Sequence, residues 1–379
     1  MQNILTEDVL FLINLLDGKA RLVGGSVRDM LSDIPVHDID IATELPPDEV
    51  VQRLTQANVR IMTAGITHGT VMAIIHHTPY EITTLRQDIE TDGRHANISF
   101  THSYEQDAKR RDFTINALYM DKDGKIYDYT GGQTDLKNGL VRFIGHAKTR
   151  VQEDYLRILR YFRFWGKLGC GQTDAEALDA CQAFADRLSQ ISNERKQHEM
   201  MIILSDRNCD KVLNLMHTHN VLPHILPHAD IPSLSAFLAV CPNCEPEEKL
   251  AVLTQGNLPT FPLSKAQKKL IMSFIKPHSF SSDITQEKLS LYHMGQRVYH
   301  FYIYQALAQN KISKSLADTL LQLTRPIFPL TGQDFIDLGF STGPTIKKCL
   351  QIAETAWALN GFSTDKKLVL NQFLVYNKK

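Results

Sequence analysis

Residues 22–43 read LVGGSVRDMLSDIPVHDIDIAT. Leu22–Val23 is a short apolar run and predicts a strand. Gly24-Gly25-Ser26 follows and leads into a helix, which Ser26 can cap while Asp29, three residues on, reaches back. After a turn at Asp33–Pro35 comes Asp38-Ile39-Asp40, and Ile41 continues the apolar alternation. Side chains at i and i+2 of a strand leave from one face. Asp38 and Asp40 therefore sit side by side, opposite the face carrying Ile39 and Ile41. Two parallel carboxylates repel unless a divalent cation lies between them. The glycines and the helix N-terminus beside them offer backbone N–H groups to phosphate. A nucleotide triphosphate on magnesium fits that combination. A lone Asp-x-Asp is commonly just two solvated aspartates; here the glycine turn and helix start upstream favour the site.

Working outward, a first helix is predicted in MQNILTEDVLFLINLLDGKA, whose early acids do not suit a signal peptide. A second helix starts near Pro46–Pro47–Asp48–Glu49. Arg60–Thr63, Gly69–His76 and Tyr80–Leu85 are β-rich, with a turn at Thr78–Pro79. Residues 86–105 (RQDIETDGRHANISFTHSYE) are polar and aperiodic and predict a mobile loop. Arg111–Met120 suits a short helix or a strand, and Asp123-Gly124 a hairpin turn into Lys125–Tyr129. From Val151 onward the apolar spacing is helical. The pattern predicts an α/β head followed by an all-helical remainder.

The chain has 379 residues, 43% hydrophobic and 22% charged, so two or more units are expected. No apolar run is long enough to span a bilayer. The six scattered cysteines suggest reduced thiols, and Cys241-Pro242-Asn243-Cys244 lacks the second ligand pair that a structural zinc needs. A net charge of −1 means that any nucleic acid must be met by a local basic patch.

Four more segments carry candidate chemistry. Lys109-Arg110-Arg111-Asp112 sets three bases and an acid before an apolar run. Arginine forks suit phosphate or ribose, and Asp112 can accept a ribose hydroxyl; a solvated charge cluster explains the segment equally well. Asp128-Tyr129-Thr130-Gly131-Gly132 serves equally as a hinge or as a plain connecting loop. Glu153–Phe164 (EDYLRILRYFRF) is strongly helical, with Leu156, Leu159, Phe162 and Trp165 on an apolar face and Asp154, Arg157 and Arg160 near one another. Arg163 lies half a turn away. An Asp–Arg pair on one rigid helix can accept from the exocyclic amine of cytosine or adenine and donate to the adjacent ring nitrogen. Uracil and guanine would leave buried groups unpaired. For an arbitrary Asp-x-x-Arg, an i,i+3 surface ion pair is the commoner outcome. Ser192-Asn193-Glu194-Arg195 with Glu199 is explained by helix capping and support.

In order, LVGGSVRD…DIDIAT, RRDFTINAL, DYTGGQTDL…RFIG, EDYLRILRYFRF and SNERKQHE resemble the motif series of the class II tRNA nucleotidyltransferases, the CCA-adding enzymes, and of their relatives the bacterial poly(A) polymerases. The likeness spans about residues 20–200 and continues faintly to FPLTGQDFIDLGFSTGP. It implies an α+β chain, with a polymerase-β-type nucleotidyltransferase head with a mixed sheet (1–143), a helical neck that reads the base (144–197), a helical body (198–265) and a helical tail that binds tRNA (266–379). It implies Asp38 and Asp40 as catalytic ligands of two Mg2+ ions, with Glu81 a candidate third acid. Gly25 and Arg28 would hold the triphosphate, and Arg111 and Asp112 the triphosphate or ribose. Asp154 and Arg157 would read the base, with Arg160 and Arg163 nearby. The 86–105 segment would be a loop implicated in the change from C to A addition, and Gly131–Gly132 a spring between head and neck. The implied activity is template-independent addition of C, C and A to tRNA from CTP and ATP, in the cytoplasm. Rivals are a poly(A) polymerase, a partial CC- or A-adding enzyme, and a non-catalytic RNA-binding module.

Overall fold

The computed structural model describes residues 4–91, 96–276 and 278–376. In chain order the sheet region comprises α1 (Glu7–Leu15), β1 (Ala20–Val23), α2 (Gly25–Leu31), β2 (Asp40–Thr43), α3 (Pro47–Gln56), β3 (Arg60–Met62), β4 (Thr70–Ile75) and β5 (Thr78–Thr84). Then come β6 (Arg86–Thr91), β7 (Ala96–Phe100), α4 (Tyr104–Arg110), β8 (Leu118–Met120), β9 (Ile126–Asp128) and α5 (Gly132–Lys137). Seven strands form one mixed sheet in the order β3-β4-β5-β2-β1-β8-β9. Only β2 and β5 pair in parallel, with Asp40 opposite Glu81; every other neighbour is antiparallel.

Strand alternation feeds two cores. Leu22 and Ile41 pack with Val9, Leu12, Val27, Leu54 and Ile82 on one face, and Ile39 joins them. Val23 and Ala42 pack with Leu85, Tyr104, Tyr119 and Ile144 on the other. Both faces of the central strands are thus covered, which explains the near-continuous apolar character of β1 and β2. Asp40, two residues before Ala42, leaves β2 on the second face.

Three local expectations are corrected. Glycine, not serine, caps α2: Gly24 is the N-cap with φ +71°, while the Ser26 hydroxyl donates to the Val23 carbonyl at 3.1 Å. Asp29 is taken by ion pairs with Arg28 and Lys167. The β4–β5 turn falls at His76–His77, both with positive φ, and Thr78–Pro79 opens β5. Within the supposed loop 86–105, Arg86–Thr91 and Ala96–Phe100 pair as an antiparallel hairpin. Main-chain bonds hold that hairpin, and any residue type supplies them, so polar composition hid it. Residues 92–95 lie outside the described residues.

The chain divides into two compact units, residues 1–231 with 259–262, and residues 232–258 with 263–379. The first also contains α6 (Ala147–Glu153), α7 (Leu156–Lys167), α8 (Ala175–Ala183), α9 (Asn193–Ser205) and α10 (Cys209–Thr218). The second is helical: α11 (Ile231–Val240), α12 (Pro246–Thr254), α13 (Lys265–Ile275), α14 (Ile284–Met294), α15 (Gln296–Ala308), α16 (Lys314–Leu321), α17 (Gly332–Asp337), α18 (Pro344–Leu359) and α19 (Lys366–Tyr376). Trp357, Phe335 and Phe373 centre one of its cores. All six cysteines are free thiols. Among the described residues no helix is long and apolar enough to cross a membrane.

Candidate active site

The two aspartates of the opening stretch stand where β2 begins. Asp38 is exposed and lies just before the strand; Asp40 is its first residue and half-buried. Glu81 is the cross-strand neighbour of Asp40, exposed at the side chain, with its backbone N–H donating to the Ile39 carbonyl. Burial, and then the Glu81 charge, push the Asp40 carboxyl up to about 6; Asp38 adds to the rise while Arg111 and Arg28 oppose it. A carboxylate raised by burial and by acidic neighbours suits a divalent cation, which would replace repulsion with attraction. Among the described residues no three acidic, His or Cys side chains close into a ready-made cage.

The glycine turn places arginine beside these acids. A Cβ on Gly24 would lie 3.3 Å from Arg111 Nη1 and 3.6 Å from the Asn116 carbonyl, so bare backbone is needed for this approach. Arg111 ends α4 and is oriented by Asp107, whose Oδ2 accepts from Arg111 Nε and Nη2 at 3.1 and 3.0 Å and from the Tyr119 hydroxyl at 2.7 Å. Asp107 is 1% exposed; although burial opposes ionisation, Arg111, Arg110 and Tyr119 bring its carboxyl down to about 2. Arg28 is also buried. Its guanidinium donates to Asp29 and Asn116 and lies 4.8 Å above the Phe164 ring, so it acts on the turn from within.

Asp112 faces α7. Its Oδ2 accepts from Arg160 Nε at 2.7 Å, and its Oδ1 accepts from the Phe113 N–H and from Asn116. The oxygens expected to meet a ribose are thus committed to holding the sheet region against α7. Arg163 pairs with Glu199 of α9 at 3.2 Å, and burial lowers its pKa to about 10. Arg28, Arg160 and Arg163 all lie within 5.3 Å of the Phe164 ring centroid.

The expected base-reading pair differs in its setting. Asp154 is not on the helix of Arg157. It occupies the break between α6 and α7 with φ −155°, and its Oδ1 accepts from the Leu156 N–H at 3.1 Å. Tyr155 precedes α7, and Arg157 stands in the first turn. The two side chains are held by different partners. Asp154 Oδ2 accepts from Arg195 Nη2 at 2.6 Å, and Arg157 Nη1 donates to Glu153 at 2.5 Å and to the Arg150 carbonyl at 2.7 Å. Helical spacing alone cannot show a break, because the 156–165 periodicity extrapolates smoothly back to Asp154. Arg195 and Glu199, which capping and helix support seemed to explain, serve instead as anchors for Asp154 and the α7 arginines. Ser192 makes no side-chain cap bond. Sequence reasoning also passed over Asp107, Asn116 and Arg150, whose importance lies wholly in what they touch.

Comparison with known proteins agrees with this geometry. The model of the "Poly A polymerase head domain" matches residues 20–142, and that of the "Probable RNA and SrmB- binding site of polymerase A" matches residues 172–231. Along 100% of its length the chain is 35% identical to the mouse CCA tRNA nucleotidyltransferase 1, mitochondrial, of which it covers 91%. The chain belongs to the CCA tRNA nucleotidyltransferase family. The fold agrees as well. The Bacillus stearothermophilus CCA-adding enzyme, solved in complex with CTP, superposes with a TM-score of 0.71 over 100% of both chains at 23% identity. The Thermotoga maritima CCA-adding enzyme, complexed with tRNA, gives 0.64 over 97% of this chain and 94% of that one at 21% identity. Like other CCA tRNA nucleotidyltransferases, the chain carries a mixed-sheet nucleotidyltransferase head followed by helices, and it is an enzyme of nucleotidyl transfer.

Proposed function

We infer that this chain adds C, C and A to the 3′ end of tRNA from CTP and ATP, without a nucleic-acid template and with release of pyrophosphate. One observation carries the reading. Asp38, Asp40, Asp154 and Arg157 belong to a single compact unit, and the Asp112–Arg160 ion pair joins the segment after α4 to α7, the helix of Arg157.

Asp38 and Asp40 are the residues that would hold two Mg2+ ions, with Glu81 as the third acid. Magnesium held there would supply Lewis acidity to the primer's 3′-hydroxyl and to the leaving pyrophosphate. The rest falls to the chain's own groups. The Gly24–Gly25 turn, with Arg111 beside it and Arg28 beneath, supplies positive charge to the triphosphate. Asp112 fixes Arg160, and with Arg163 it forms the cationic wall of the nucleotide site. Asp154 accepts from the exocyclic amine of cytosine or adenine while Arg157 donates to the ring nitrogen. Catalysis is positioning and charge stabilisation, as in phosphoryl transfer generally. In this reading the head runs over 1–143, the neck over 144–197, the body over 198–265 and the tail over 266–379. The helical parts receive the tRNA by shape and backbone, so binding weakens as salt rises. Six free thiols fit a reducing compartment, and we place the enzyme in the cytoplasm.

The match to a poly(A) polymerase head makes that activity the second reading. One extension assay separates them. Transcripts of tRNA ending before CCA, after C and after CC are offered each NTP alone and all four together. Three additions that then stop support CCA addition; a long A tail supports the polymerase. Incorporation that persists in the Asp38→Ala, Asp40→Ala double variant overturns the catalytic assignment.

A further inference from the structure

Arg150 lies on α6, and nothing in its sequence setting marks it. Its side chain is 11% exposed. Nη2 donates to the backbone carbonyls of Arg110 and Arg111, the latter at 2.8 Å, where α4 delivers Arg111 to the glycine turn. Nη1 donates to Glu153. The same Glu153 oxygen accepts from Arg157 Nη1, which also reaches the Arg150 carbonyl. Nε is buried with no partner. Burial, with the like charge of Arg157 adding, lowers the Arg150 pKa despite Glu153. A buried cation with an unpaired donor is an expensive way to join two elements, since apolar packing does so at no desolvation cost. Its guanidinium fork does what packing cannot: it fixes two carbonyls and a carboxylate at set angles at once.

We propose that Arg150 is a positioning residue that couples the triphosphate arginine Arg111 to the base-reading arginine Arg157. Through the 110–111 carbonyls it sets where the end of α4 lies. Through Glu153 it sets where the Arg157 guanidinium points. Triphosphate seating and base selection are therefore adjusted together, and neither arginine is placed independently. The inference rests on the reading of Arg111 and Arg157 as nucleotide contacts.

The test compares the full-length wild type with Arg150→Ala, Arg150→Lys and, as a control, Arg53→Ala. Arg53 bridges Asp17, Glu49 and the Leu15 carbonyl in the same compact unit, and none of these is a partner of Arg150. Steady-state kcat and KM are measured for CTP against UTP on tRNA lacking CCA, and for ATP against GTP on tRNA ending in CC, beside the Tm of each protein. Arg150→Ala is expected to raise KM for both correct nucleotides and to reduce each discrimination ratio about tenfold, or ~1.4 kcal/mol. Arg150→Lys keeps one link of the two, and should give a smaller loss in the same direction. Should Arg150→Ala not fold, the lysine variant carries the test alone. Discrimination that stays at the wild-type value in the folded variants overturns the proposal. So does an equal loss of discrimination in Arg53→Ala. A wild type that adds neither C nor A to tRNA defeats the functional reading itself, and that result is visible before any variant is compared.

Discussion

Asp112 gives the site its most measurable electrostatic signature. Burial is the largest single influence and raises its carboxyl, but the Arg160 charge and the bonds from Asn116, Arg160 and the Phe113 N–H together outweigh it. The result falls from the ordinary 3.8 to about 2. At about 1.4 kcal/mol per pH unit, the gap is on the order of 2 kcal/mol. Because the folded pKa is the lower one, this stability is fully present above 3.8 and is lost as the pH falls through the range toward 2. Asp112→Asn should therefore destabilise the first unit by about 2 kcal/mol near pH 6, since Arg160 keeps only Glu199 at 3.8 Å. The difference from wild type should shrink steadily below pH 4. Denaturant titrations from pH 6 to pH 2.5 measure it. The chain has two tryptophans, and Trp357 belongs to the second unit. In a Trp357→Phe background, Trp165, on the same helix as Arg160, reports the first unit alone. Stability curves of wild type and variant that run parallel across this pH range would refute the reasoning, because they would show that ionisation of Asp112 is not linked to folding.

Arg195→Ala frees Asp154 from its charged partner. With the Arg195 side chain 40% exposed, the bond is worth about 1 kcal/mol after solvent screening. The ratio of CTP to UTP incorporation should fall roughly fivefold with little change in Tm, as competitive incorporation assays can show. Gly132→Ala puts a Cβ 2.2 Å from the Thr114 carbonyl and should cost the first unit several kcal/mol. At Gly131 nothing lies within 4 Å, so alanine there meets only the penalty of φ +83°, about 1–2 kcal/mol; the two denaturation midpoints should differ in that order. Asp107→Asn removes the carboxylate that orients Arg111 and accepts from the Arg86 N–H at the foot of the β6–β7 hairpin. It should raise KM for CTP and ATP alike, and an unchanged KM would rule out the positioning of Arg111 by Asp107.

Much of this site was legible in order along the chain. The strand, glycine turn and helix of residues 22–31 stand where their pattern puts them, and Ile39 and Ile41 do pack on the face away from Asp40. The hairpin at 86–100 was missed because its pairing rests on backbone groups. The break at Asp154 was missed because two helices in sequence share one periodicity. Both failures arise where the deciding interaction leaves no trace in residue type.

The sequence by itself determined that a strand follows the glycine turn and that Asp40 leaves it on the face opposite Ile41, because the period of a strand is fixed by backbone geometry over a few residues. It could not determine which arginine meets which acid. Asp112 pairs with Arg160 at a separation of 48 residues, and Asp154 with Arg195 at 41. Between charged groups so far apart in the chain, Coulomb attraction carries no preference of its own; any acid suits any base. Only the packing of α7 against the sheet region and α9 selects the pairs, and with them the groups left to meet the nucleotide.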